Sequence, residues 1–225
     1  MPHPLDHPVW SALSTRQRPL AQGDHRALRL ASDYGWFAAS ADKSPENLSA
    51  LATLPIDEVG LFLVEAAPTP QPAGMVVVSE AACRQMVADA VEAVENPFDI
   101  VPLGDADAAE MLDLALLTKP GPFSTATHRL GEFIGVREGG KLVAMAGERM
   151  KPDGFAEVSG VCTHPDHRGH GYARVLSSIV GRRIVARGEI PFLHAFETNT
   201  GAMRLYEQLG FRDRSGITLT LLRRA

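Results

Sequence analysis

The sequence contains only two cysteines, Cys83 and Cys162, so no disulfide framework can hold it together and a reducing, cytoplasmic compartment is expected. No apolar run approaches ~18 residues, and no membrane association is expected. Residues 1–10 lack a basic stretch followed by an apolar core, so no secretory leader is expected there. Positive charge is not in surplus: the net charge is −5, with no polybasic tract to suit a nucleic acid or a membrane surface. Internal repeats and low-complexity tracts are also lacking. What is present is ordinary globular material, 45% hydrophobic and 22% charged, enough for one large domain or two small ones.

The composition changes along the chain. Residues 1–100 hold 10 of the 16 prolines but only 4 of the 20 glycines. Residues 1–150 carry a net −9 and residues 151–225 a net +4. A basic final third in an acidic chain suits a small polyanionic ligand; the alternative is scattered, solvated arginines. Pro68, Pro70 and Pro72 form a stiff connector. Before it, residues 26–30 and 34–39 read as short strands, and Ser44-Pro45 opens a helix to about Leu54. Residues 59–65 and 75–78 read as strands. Residues 83–96 have no helical period, and Asn96-Pro97 closes an N-terminal part, 1–99.

From residue 100 the pattern is clearer. A strand at 100–103 precedes a helix capped by Asp105 or Asp107 and stopped by Lys119-Pro120-Gly121-Pro122. Three strands, 132–137, 141–150 and 155–163, are joined by the tight turns Glu138-Gly139-Gly140 and Pro152-Asp153-Gly154. A helix over 169–187, a strand at 191–196, a helix at 199–209 and a strand at 216–222 complete the order. The expected fold class is α/β: a mixed, mostly antiparallel sheet flanked by helices, with an N-terminal α/β extension.

The stretch Val161-Cys162-Thr163-His164-Pro165-Asp166-His167-Arg168-Gly169-His170-Gly171-Tyr172-Ala173 joins a strand to a helix. Glycines at the start of a helix leave outward-pointing N–H groups and dipolar positive charge, which together hold a phosphate. A bare Gly-x-Gly equally describes a tight strand–helix turn. The P-loop ending and the third glycine of a dinucleotide fingerprint are both missing.

This strand, turn and helix resemble motif A of the GCN5-related N-acetyltransferases (GNAT), Arg/Gln-x-x-Gly-x-Gly/Ala, with Arg168, Gly171 and Ala173 at the matching places. About thirty residues on, Asn199-Thr-Gly-Ala-Met-Arg-Leu-Tyr206-Glu-Gln-Leu-Gly210-Phe211 resembles motif B, Asn-x-x-Ala-x-x-Leu-Tyr-x-x-x-Gly-Phe. The resemblance covers roughly residues 100–225 and is similar to the FR47-like branch. Residues 1–99 match no motif and are a candidate degenerate half of the same fold.

The resemblance implies an acetyl-CoA-dependent N-acetyltransferase, the acyl group moving to a primary amine by direct attack. A non-catalytic acyl-CoA-binding module on the same fold is the alternative. It implies a cleft where two central strands splay apart, with Gly160 as the bulge. The cofactor-binding residues would be Val161, Cys162 and Thr163 along the pantetheine arm and Arg168, Gly169, His170, Gly171, Tyr172 and Ala173 around the pyrophosphate. Asn199 and Ala202 would lie toward the thiol end. Tyr206 would protonate the leaving thiolate, and Glu157 would be the base, with Glu148 its rival; a solvent-facing Glu157 carries equal weight.

The histidines His164, His167 and His170 lack a metal-ligand rhythm, and no metal is expected. His3 and His7 are expected in a mobile terminus. Cys162 is expected buried and unreactive. The partner is expected to be a small-molecule amine or amino-acid acceptor met by residues 118–131 and the N-terminal part, with Phe123, His128 and Arg129 as candidates. Exposed strand edges would allow a homodimer.

Overall fold

The computed structural model describes residues 3–225; Met1 and Pro2, the first two positions of the stretch tested for a leader, lie outside the described residues. The first elements are helix α1 (Pro8–Leu13) and strands β1 (Ala21–Gly23), β2 (Ala27–Leu30) and β3 (Ala38–Ser40), which pair as a small antiparallel sheet. Ser44 caps helix α2 (Pro45–Thr53), its side chain accepting from the Asn47 N–H at 3.4 Å. Strands β4 (Leu61–Glu65) and β5 (Met75–Val87) follow on either side of the proline connector.

The remaining elements are β6 (Ile100–Leu103), α3 (Ala108–Thr118), β7 (Phe133–Glu138), β8 (Lys141–Glu148), β9 (Phe155–Thr163), α4 (Tyr172–Ala186), β10 (Ile190–Phe196), α5 (Thr200–Gln208) and β11 (Arg212–Arg224). Eight strands form one sheet in the order β4-β11-β5-β10-β9-β8-β7-β6. Every neighbouring pair is antiparallel except β9 and β10. The mixed α/β architecture is therefore the expected one. The sheet also crosses residues 99 and 100, because β5 lies between β10 and β11.

Alternating side chains bury both faces. Helix α4 places Val175, Leu176, Val180 and Ile184 against Ile134, Val136, Ala144 and Val158 of the sheet. Helix α3 sends Met111, Leu114 and Ala115 into a cluster with Phe133, Met145 and Cys162. Helix α1 covers the other side, packing Val9 and Leu13 with Phe37, Val64, Cys83 and Ile217.

Three expectations need correction. The N-terminus is tied down: Asp6 pairs with Arg214, and His7 pairs with the buried Glu65. Strand β5 runs to Val87, well past the four residues expected. Its first half, Val76–Glu80, is exposed on both sides and lacks the two-residue alternation that marks a half-buried strand. Strand β11 likewise starts at Arg212 rather than 216. No described helix is long and apolar enough to cross a membrane.

Candidate active site

The parallel pairing of β9 with β10 stops after three residues, at Glu157 opposite Phe192. Beyond that point the strands separate. The cause lies in β9, where the register against β8 slips between Ser159 and Cys162 and Gly160 takes φ +62°. A Cβ there would stand 2.8 Å from the Phe133 ring, so only glycine allows both the bulge and the packing. The bulge also breaks the alternation that would have kept Glu157 and Val161 on one face.

A cleft of about 880 Å³ opens at this separation. Val161, Cys162 and Thr163 form one wall, and Ala195, Phe196, Asn199, Ala202 and Tyr206 the other. At one end stands the N-terminus of α4. Gly171 precedes it at φ +88°, a backbone that favours glycine, and a Cβ on Gly171 would meet nothing within 4 Å. The N–H groups of residues 169–174 donate to no backbone carbonyl among the described residues. Arg168, Gly169, His170, Tyr172 and Ala173 all border the cleft here. Free donors, a fifteen-residue helix dipole and two arginines, Arg168 and Arg174, suit a pyrophosphate.

Side chains set the geometry. The buried Tyr172 ring lies tilted against Phe98, with centroids 4.5 Å apart, and its hydroxyl donates to Glu138. Asn199 caps α5, its Oδ1 accepting from the Ala202 N–H at 3.2 Å. Tyr206 is 8% exposed and borders the cleft; burial, then the neighbouring Cys162, pushes its phenol up to about 12, so it stays protonated. Burial raises the Cys162 thiol to about 12 and the Cys83 thiol to about 11.

Glu157 does not border the cleft. It is 1% exposed and accepts from Arg149 Nε at 3.0 Å, Arg149 Nη2 at 2.9 Å, His194 Nδ1 at 2.9 Å and the Met150 N–H at 3.2 Å. Burial alone would raise its pKa, but the Arg149 charge and the His194 hydrogen bond outweigh it and hold the carboxyl near 2. Such a group is a poor proton acceptor. Glu148 is equally buried and is held by Lys151 and Arg187. The two expected bases are thus both ion-paired, and no carboxylate borders the cleft among the described residues.

The expected acceptor residues also lie elsewhere. His128 and Arg129 both bind Asp105, and Phe123 packs edge-on against Phe133 at 5.9 Å. Lys119–Pro122, within the expected loop, does border the cleft. Among the groups that sequence reasoning missed are Arg174 beside the α4 N-terminus and, at the other end, Phe37, Val64, Cys83, Arg149, His194, Ile217 and Leu219. One signal was available: Arg149 and Glu157 stand opposite each other across the Pro152-Asp153-Gly154 turn.

Comparison with known proteins agrees with this geometry. The family model for FR47-like protein matches residues 133–218. A solved GNAT-family protein from Novosphingobium aromaticivorans DSM 12444 is 46% identical, with 100% of both chains covered and a TM-score of 0.92. The chain belongs to the GNAT family. The GCN5-related N-acetyltransferase of Kribbella flavida, 17% identical over 95% of this chain and 94% of its own, shares the fold with a TM-score of 0.64. Mycothiol acetyltransferase of Thermomonospora curvata is 37% identical over 83 residues, 36% of this chain and 27% of that protein. This GNAT protein is an acetyl-CoA-dependent N-acetyltransferase of FR47-like type, and the acyl group it moves comes from acetyl-CoA.

Proposed function

We propose that the protein transfers the acetyl group to a primary amine by direct attack, through a tetrahedral intermediate and without an acyl-enzyme. The observation that carries this reading is the gap between β9 and β10, which leads from the free N–H groups at α4 to Tyr206. A ligand lying along the gap would have its pyrophosphate on residues 168–173 and its pantetheine arm beside Val161, Cys162 and Thr163. Asn199 and Ala202 would line the path to the thioester.

Three tasks then remain for the chain. The neutral amine attacks the thioester carbonyl carbon, and the resulting oxyanion needs donors; a backbone N–H near Val161 would supply one. The C–S bond breaks, and Tyr206, protonated at all working pH values, gives its proton to the departing thiolate. The two cysteines are held as thiols, which agrees with transfer in one step rather than through a thioester on the enzyme. Glu157 serves as a positioning residue that fixes Arg149 and His194 at the cleft wall, and the amine proton leaves to solvent. Residues 1–99 act as an extension of the GNAT domain, 100–225, that builds the acceptor side.

Calorimetric titration with acetyl-CoA, paired with thiol release in the presence of amines, tests the reading. Binding weakened ~100-fold or more by Gly171→Glu and turnover slowed, not abolished, in Tyr206→Phe are expected. Binding without turnover of any amine would refute it.

A further inference from the structure

Away from α4, the cleft floor runs sideways across four strands. The register sets Phe196 of β10, Cys83 of β5 and Ile217 of β11 in one row, and Leu219 of β11 against Val64 of β4 in the next. All five border the cleft, so this end is an apolar platform built from both halves of the chain. The Arg149 guanidinium stands over the Phe37 ring, 4.5 Å from its centroid, and both residues border the same end.

The polar groups here differ in what they have left to give. His194 is fully engaged, with Nδ1 on Glu157 at 2.9 Å and Nε2 accepting from the Gln85 amide at 2.9 Å. Arg149 is not. Its Nε and Nη2 hold Glu157, and Nη1 reaches the Pro122 carbonyl at 3.4 Å. A guanidinium has five N–H donors, so one on Nη1 and one on Nη2 stay free. The bidentate pair with Glu157 stiffens the fork, and a stiff fork binds a second carboxylate with little loss of freedom. Along the whole cleft stand Lys119, Arg149, Arg168, Arg174 and Arg204, with no carboxylate among the described lining residues. Nothing there would pair a second ammonium on an acceptor.

Resting on the amine-acetylation reading above, we propose that the acceptor is a small α-amino acid with an apolar side chain, and that Arg149 binds its carboxylate. The side chain lies on the Val64–Leu219 and Cys83–Ile217 platform. The neutral α-amine forms the new C–N bond and the C–S bond breaks. One amine proton is lost as the thiol is made, leaving an N-acetylamino acid and CoA. Polyamines are excluded by charge.

The test uses the full chain with acetyl-CoA and five acceptors: L-leucine, L-phenylalanine, 3-methylbutylamine, 2-phenylethylamine and spermidine. The amino acids should exceed their decarboxylated counterparts at least ~10-fold in kcat/KM, because a site built to hydrogen-bond a group rejects ligands lacking it. Spermidine should stay at background. Arg149→Lys, which keeps the charge but loses the fork, should raise KM for the amino acids ~10-fold or more while the calorimetric affinity for acetyl-CoA is unchanged. Equal turnover of the decarboxylated amines, turnover of spermidine, or an unchanged KM in Arg149→Lys would overturn the proposal and leave amine acetylation standing. Acetyl-CoA binding without turnover of any of the five would overturn the amino-acid proposal, and amine acetylation falls with it only when a wider amine panel is also inert.

Discussion

Replacing Glu157 by Gln separates two roles that the same residue could play. The substitution keeps shape but turns one accepting oxygen into a donating amide, and removes a charge that is 1% exposed and answers the Arg149 guanidinium at 2.9 and 3.0 Å. The carboxyl sits near 2 instead of 4.5, a difference that corresponds to about 3 kcal/mol. Because the folded-state pKa is depressed, that stability is present above about 4.5 and is lost as pH falls through about 2. Breaking a buried ion pair by removing one partner costs about 3–5 kcal/mol, the same scale. For a chain of this length, ~2–4 °C of Tm accompany each kcal/mol, so Glu157→Gln should melt about 6–12 °C lower at pH 7. The difference should shrink below about pH 4.5, where the unfolded carboxyl takes up a proton while the native one stays ionised until about pH 2. Scanning calorimetry at several pH values reads both effects, and thiol release reads turnover. A Tm within 2 °C of the native protein together with a turnover loss of ~10²–10⁴ would refute this reasoning and restore Glu157 as the general base.

Three further outcomes follow from the same geometry. Gly171→Glu forces a side chain onto a backbone at φ +88° and aims a carboxylate at the free N–H groups, so acetyl-CoA affinity measured by calorimetry should fall ~100-fold or more. Tyr206→Phe should slow turnover ~10²–10⁴ with acetyl-CoA affinity nearly unchanged, and because the phenol sits near 12, the native pH–rate profile should show no loss from its ionisation below pH 10. Cys83 and Cys162, with thiols near 11 and 12, should resist iodoacetamide at pH 7.5 in the native state and react once the chain is unfolded in urea, as mass spectrometry would show.

The cofactor side of the site was legible because its signals are contiguous. β9 occupies 155–163 as expected, since a Pro-Asp-Gly turn and His164-Pro165 punctuate both ends. The glycines at 169 and 171 announced the helix start, although α4 begins at Tyr172, three residues into the span expected for it. Helix α1 was not legible: six residues are too few to display a helical period. The acceptor side was hidden for a different reason. Phe37, Val64, Cys83, Arg149, His194 and Ile217 are spread over 180 positions and meet only through strand order. Arg129 drew attention as an exposed cation in the expected loop, yet Asp105 engages it from 24 positions away.

The placement of β5 explains why the two sides of the cleft differ in this way. β5 pairs through residues 83–87 with β10 and along almost its whole length with β11. Residues from before position 100 therefore complete a sheet whose neighbouring strands come from after position 190. The turn before α4 needs none of this, because its free N–H groups arise from local backbone conformation. The apolar platform needs all of it: Cys83 lies between Phe196 and Ile217, and Val64 is one strand further out. Substitutions at Phe37, Val64 or Cys83 therefore reshape the apolar end of the cleft without disturbing the turn before α4. With the acceptor seated at the apolar end, as proposed, such substitutions change what is acetylated and leave the donor end intact.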